Sequence, residues 1–194
     1  MINNLIEQVA NCWLNQTNLP SSSEVVAALL EAEKIKKKQK ISYSFEQLIG
    51  TWQLSFVMGT KKAQSRIGIA LGGGRYLPRF LKILLTYRFV ESSPTSIEVE
   101  NNVNIGSLQI SLTGPVKFLS RQNIVAFNFI EIHIKFLEFT IYNGSVRGGL
   151  KTAINFENEP VSKQAFFTYF YVSEQVIAAR GKGGGLAIWS RFKD

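Results

Sequence analysis

From Gly50 to the end of the chain, hydrophobic residues recur with a period of two in short runs. No segment between those runs has the length or the period of a crossover helix. Trp52, Leu54 and Phe56 alternate with Thr51, Gln53, Ser55 and Val57, the mark of a half-buried strand. Further strands are expected at Ile83 to Glu91, Ser96 to Val103, Ser107 to Thr113, Asn123 to Ile130, Ile134 to Tyr142, Lys163 to Tyr171, Gln175 to Ala179 and Leu186 to Phe192. Gly114–Pro115, Asn143–Gly144, Asn158 to Pro160 and the run Gly181 to Gly185 punctuate them. Short strands in series without crossovers predict a mostly β fold, an antiparallel up-and-down barrel of about eight strands.

Residues 1–49 have a different period. Leu5, Ile6, Val9, Cys12 and Trp13 recur at helical spacing, and Pro20 breaks the segment. One of Ser21, Ser22 or Ser23 caps a second helix, with Glu24 in its first turn and Val25 to Leu30 behind it. Lys34, Lys36, Lys37, Lys38 and Lys40 follow where a helix C-terminus favours cations. A short third helix is expected at Ser44 to Ile49. The chain thus divides into a helical leader, 1–49, packing on a barrel domain, 50–194.

At 194 residues the chain suits one domain. Fourteen Phe, six Tyr and three Trp favour strands and also line apolar pockets. The formal charge is +8, and between Gln47 and Val90 there is no acid but seven cations: Lys61, Lys62, Arg66, Arg75, Arg79, Lys82 and Arg88. Such a face fits an anionic surface or simple solvation. The segment Gln64 to Lys82 mixes those charges with Ile67, Ile69, Leu71, Tyr76, Leu77 and Phe80 around three consecutive glycines. It reads as a lid over the barrel mouth or a loop at a membrane interface, with Arg66, Arg75, Arg79 and Lys82 as the membrane or anion contacts. No signal peptide is expected at the N-terminus and no membrane-spanning apolar run elsewhere, so any membrane association is expected to be peripheral.

Residues for catalysis are scarce. The one histidine, His133, sits within an alternating run, the one aspartate is Asp194, and Cys12 is the lone cysteine. A Ser-His-Asp or Cys-His arrangement would need partners from opposite ends of the chain. No His/Cys/carboxylate cluster has metal-ligand spacing, and Glu131 and Glu138, seven apart, would face opposite sides of one strand. Leu71-Gly72-Gly73-Gly74-Arg75 lacks the Lys-Ser/Thr of a P-loop, and the glycines of Arg180 to Gly185 suit a hairpin. Neither a catalytic residue, a cofactor nor a nucleic-acid partner is expected.

In an up-and-down barrel the first and last strands are neighbours, which brings Trp52 near Arg191. A guanidinium on an indole closes one end of the barrel, leaving access for a ligand at the other. Gly50-Thr51-Trp52-Gln53-Leu54 after a helical lead-in resembles the GxW opening of lipocalin-like barrels. Val176-Ile177-Ala178-Ala179-Arg180-Gly181, a glycine turn, then Leu186-Ala187-Ile188-Trp189-Ser190-Arg191 resembles the close of the plastid lipid-associated protein family, the fibrillins. The resemblance runs loosely from Phe45 to Phe192. It implies a lipocalin-like barrel at thylakoids or lipid globules that binds or organises lipids, carotenoids or prenylquinones without catalytic residues. Lacking a transit peptide, the chain fits a cyanobacterial member, cytoplasmic or peripheral to the thylakoid membrane. Its single aspartate departs from a family whose loops often carry several.

The function expected first is non-enzymatic binding of a hydrophobic ligand, lined by Trp52, Leu54, Phe56, Phe127, Phe129, Phe166 and Phe170, with peripheral membrane contact. The alternatives are a bilin lyase holding an anionic tetrapyrrole with Arg88 and Arg147, and a scaffold docking an acidic partner through Arg75 and Arg79.

Overall fold

The computed structural model describes residues 2–15, 17–59, 73–78, 80–90, 93–146 and 148–193. Two helices open the chain, α1 (Ile2–Asn15) and α2 (Ser22–Gln39), followed by a 3-10 turn at Phe45–Leu48. Ser21 caps α2 in a full capping box: the Glu24 amide donates to its hydroxyl, while the Glu24 carboxylate accepts from the Ser21 amide at 3.0 Å. Lys40 ends the helix in a left-handed conformation after three lysines in the last turn.

The strands are β1 (Gly50–Met58), β2 (Arg75–Tyr76), β3 (Leu81–Val90), β4 (Ser93–Ile105), β5 (Leu108–Leu119), β6 (Ile124–Phe127), β7 (Glu131–Phe136), β8 (Phe139–Ser145), β9 (Ala165–Val172), β10 (Val176–Gly181) and β11 (Leu186–Arg191). A short helix, α3 (Gly149–Asn155), lies between β8 and β9. Eight strands close a ring, β1-β3-β4-β5-β6-β9-β10-β11, in which each pairs antiparallel with the next and β11 returns to β1. The fold is therefore a closed antiparallel barrel, as the alternation predicts.

One excursion leaves the ring. The far half of β5, Leu108 to Thr113, pairs with β7, and β7 pairs with β8. The expected single strand Ile134 to Tyr142 is thus two strands joined by a turn at Leu137–Glu138, and Glu138 sits in that turn. Asn143–Gly144, expected as a turn, falls inside β8, and Gly114–Pro115 falls inside β5. The reason for the second is local. Gly114 and Pro115 occupy the point where the edge of β5 passes from β7 to β6, and a Cβ on Gly114 would meet the Asn128 carbonyl oxygen at 1.9 Å.

Two cores result. Every strand of the ring contributes to the barrel interior, with Trp52, Leu85, Tyr87, Val99, Val116, Val125, Phe127, Tyr169, Ile177 and Trp189 buried there. Phe45 and Leu48 plug it from below. The second core lies outside the barrel wall, where α1 and α2 cover Phe56, Phe170, Val176, Ala178, Leu186 and Ile188. A forked ion pair pins this layer: Arg180 Nε and Nη2 donate to Glu33 Oε1 and Oε2 at 2.9 and 2.6 Å.

Candidate functional site

The two ends of the barrel differ. At one end the Arg191 guanidinium lies 3.6 Å from the centroid of Trp52, its strand partner across β1–β11. Arg191 Nη1 donates to the Ile49 carbonyl at 2.7 Å, and Trp52 Nε1 donates to the Leu48 carbonyl at 2.8 Å. The 3-10 plug, the indole and the guanidinium together shut this end.

Above them the interior is filled by side chains. Phe127 packs on Phe129 and on Phe167, each at 5.3 Å between centroids, and Phe167 meets Trp189 edge-on at 5.1 Å. Tyr87 and Tyr169 are fully buried and hydrogen-bond to one another through their hydroxyls at 2.9 Å. Burial drives both phenols well above the usual tyrosine pKa, so this pair is neutral glue.

Among the described residues no counterpart of that plug is seen at the opposite end, the open end. There β3, β4 and β5 continue past the ring, and β7 and β8 extend them into a five-stranded flange. Register carries the inward face of the barrel into this flange: Tyr87, Val99 and Gly114 are cross-strand partners, and Ile83, Val103 and Ile110 follow four residues along on the same face. Ile110 and Leu112 continue across to Ile134 and Ile132 on β7. The result is an apolar trough of Ile83, Val103, Ile110, Leu112, Ile132 and Ile134, all partly exposed and outside both packed cores. The helical layer lies on β9, β10 and β11, away from this face.

The outward face of the same strands is polar. Arg88, Glu100, Asn102, Ser111, His133 and Lys135 line a hollow of about 290 Å³. Burial works against the charge of Glu100, but hydrogen bonds from Arg88 and Ser111, both at 2.7 Å, hold its carboxyl below the usual range. Arg88 also pairs with Glu98, so two carboxylates compensate its charge. Arg147, the other arginine of the bilin alternative, lies outside the described residues. His133 Nε2 stands 3.9 Å from Glu131, and no group of three potential metal ligands occurs among the described residues.

The expected lining residues separate. Trp52, Leu54, Phe127 and Phe129 join the interior core. Phe56 and Phe170 do not: both lie on the outer wall under the helices. A bulge between Leu54 and Phe56 inserts Ser55 and turns Phe56 outward, whereas Phe170 faces outward by plain alternation with the inward Tyr169, and the β9 bulge adds Tyr171 to the same side. Phe166 alternates with the inward Phe167 and is partly exposed on the outer side. Of the expected anion contacts, Arg75 is exposed on β2 and Lys82 on β3, while Arg66 and Arg79 lie outside the described residues, as does most of the expected lid. The trough itself was not singled out in the sequence. Its signal is the alternation Leu108, Ile110, Leu112 and Ile132, Ile134, Phe136, which marks strands without saying which face is left uncovered.

No family model and no curated protein matches this chain. Among solved structures it is similar to a lipocalin-like protein from Bacteroides uniformis. That protein has 12% identity to it and a TM-score of 0.41, over 75% of this chain and 99% of the other. The barrel class rests on the strand pairing itself. No helix among the described residues is long and apolar enough to cross a membrane.

Proposed function

We propose that this chain is a non-enzymatic binder of a hydrophobic ligand, whose acyl or isoprenoid chain lies in the open-end trough rather than deep in the barrel. The observation that supports this reading is the continuity of one apolar face from the packed interior into the half-covered flange. Fully burying an Ile or Leu side chain contributes about 1.5–3 kcal/mol. Completing the burial of six partly exposed ones therefore offers several kcal/mol to a ligand, against the cost of immobilising it. The resemblance to fibrillins supplies the finer content: a lipid, carotenoid or prenylquinone, handled at a thylakoid or lipid-globule surface.

Purification from a photosynthetic host, followed by organic extraction and mass spectrometry, tests this directly. A stoichiometric isoprenoid or acyl species is the expected result. The displacement of a fluorescent polyene fatty acid by that species, weakened roughly tenfold to a hundredfold in Ile134→Glu, would locate it. A protein that emerges empty and takes up no apolar probe would refute the reading.

A further inference from the structure

We propose that the strand tips at the open end form an insertion element for an anionic lipid leaflet, with the β7–β8 hairpin at its centre. Seven of the eleven large apolar side chains exposed among the described residues gather at this end: Phe80, Ile105, Phe136, Leu137, Phe139, Ile141 and Tyr142. Phe80 is 76% exposed, Phe139 74% and Leu137 59%, a concentration that marks an interaction surface rather than ordinary scatter. Five of these side chains come from three separate tips, the approach to β3, the β4–β5 turn and the β7–β8 turn, and Ile141 and Tyr142 follow along β8. The tips are tied together, since the Leu137 amide donates to the Ser107 carbonyl at 2.8 Å. Leu137 holds a left-handed backbone, φ 54°, where glycine or asparagine is usual, and its side chain points to solvent.

Charge selects the partner. Lys82 and Lys135 are exposed beside the apolar tips, and Arg75 is exposed on β2. Glu138 is the acid at the tips, and the stretch from Gln47 to Val90 has none. Apolar tips flanked by Lys82 and Lys135 fit the boundary between headgroups and acyl chains of an anionic leaflet. A second copy of the chain fits less well. Pairing at the open edge of β8 would cover Phe139, Ile141 and Tyr142 but leave Phe80, Ile105 and Leu137 in water. This inference shares the open end with the proposed function and gives that site its orientation: the trough opens toward the leaflet that supplies the ligand.

Sedimentation with extruded vesicles tests it, using phosphatidylcholine alone and a mixture of phosphatidylcholine with phosphatidylglycerol. The expected result is partition onto the mixed vesicles, weakened roughly tenfold or more in the double variant Phe80→Glu/Leu137→Glu. Lys82→Gln and Lys135→Gln should each lower low-salt partition about fivefold. Both glutamates stand at exposed positions outside the trough, so the unfolding midpoint and the uptake of a soluble polyene fatty acid should be retained. Undiminished vesicle binding by the double variant, or none by the parent chain, would overturn the proposal. So would a dimer in sedimentation equilibrium that the double variant dissolves without any vesicle binding. Vesicle binding without fatty-acid uptake would sink the ligand trough and leave the insertion element standing.

Discussion

Arg191 joins three elements with one side chain. It stacks on Trp52 at 3.6 Å, donates to the Ile49 carbonyl at 2.7 Å and donates to the Glu174 carbonyl at 3.0 Å. Gly50 makes room for it: a Cβ there would meet Arg191 Nη1 at 2.3 Å, and the φ of 119° already disfavours any side chain. Gly50→Ala should therefore cost about 2 kcal/mol or more, and Arg191→Lys about 1–2 kcal/mol by losing the planar fork. In urea unfolding, Gly50→Ala and Arg191→Ala together should cost clearly less than their sum, because each empties the same seat. Additive costs would mean that the glycine serves only its backbone angle. The buried tyrosine pair offers a second test. Tyr169→Phe leaves the Tyr87 hydroxyl without its partner and should cost about 1–3 kcal/mol, part of which the double change to Phe restores. Burial raises both phenol pKa values in the folded state, so the unfolded chain ionises first as pH rises. Their contribution is intact below the ordinary tyrosine value of about 10 and declines above it. Urea midpoints taken at about pH 8 and about pH 11 should fall less in the double Phe variant than in the parent chain.

At the scale of the element, β1 faces two cores because it is bulged. Trp52 and Leu54 enter the barrel, Ser55 is the extra residue, and Phe56 turns out to the helices. Deleting Ser55 joins the Leu54–Trp189 and Phe56–Ile188 pairs in unbroken register, so Phe56 keeps its outer side and unfolding should stay cooperative. Ser55→Ala, which loses the bonds to the Ile188 carbonyl at 3.1 Å and from Ser190 Oγ at 3.3 Å, should cost only about 1 kcal/mol. Circular dichroism melts check both, and a deletion that abolishes the cooperative transition would show that the bulge does more than set register. The same strand marks what a sequence can and cannot announce. Period two from Gly50, a serine cap before Glu24 and the Trp52–Arg191 neighbourhood follow from local chemistry and chain order, and all are legible, although which of the three serines caps is not. The bulges are not, because Ser55 carries no turn signal and a one-residue slip is set by packing on both sides. Nor is the β7–β8 turn, since Leu137–Glu138 contains none of the usual turn residues and the backbone accepts a leucine at positive φ instead. For this reason alternation alone misplaces Phe56, whereas Phe166 and Phe170 share the outward side of β9, opposite the inward Phe167. The trough was missed because alternation identifies strands and their apolar face, not how much of that face the core uses.

Taken whole, the molecule places its packed cores and the proposed ligand site at different points along the barrel axis. The plug, the Trp52–Arg191 stack and the tyrosine pair hold the closed half, while the helical layer seals β9, β10 and β11. The flange carries apolar surface that contributes little to either core. Changes at the two ends should then have opposite signatures. Arg191→Lys should lower the urea midpoint and leave affinity for a polyene fatty acid within roughly twofold, since its surroundings do not meet the ligand. Ile134→Glu should do the reverse. The side chain is partly exposed, so its carboxylate stays hydrated and stability changes by about 1 kcal/mol or less. A ligand lying over it must strip that hydration, and affinity should fall by roughly tenfold to a hundredfold. If Arg191→Lys instead weakens the ligand as much as Ile134→Glu does, the chain binds inside the barrel against Trp52. The interior must then open for it, and the trough is only a passage. The ratio of the two affinity losses, measured beside the two midpoints, therefore decides where along the axis the proposed ligand sits.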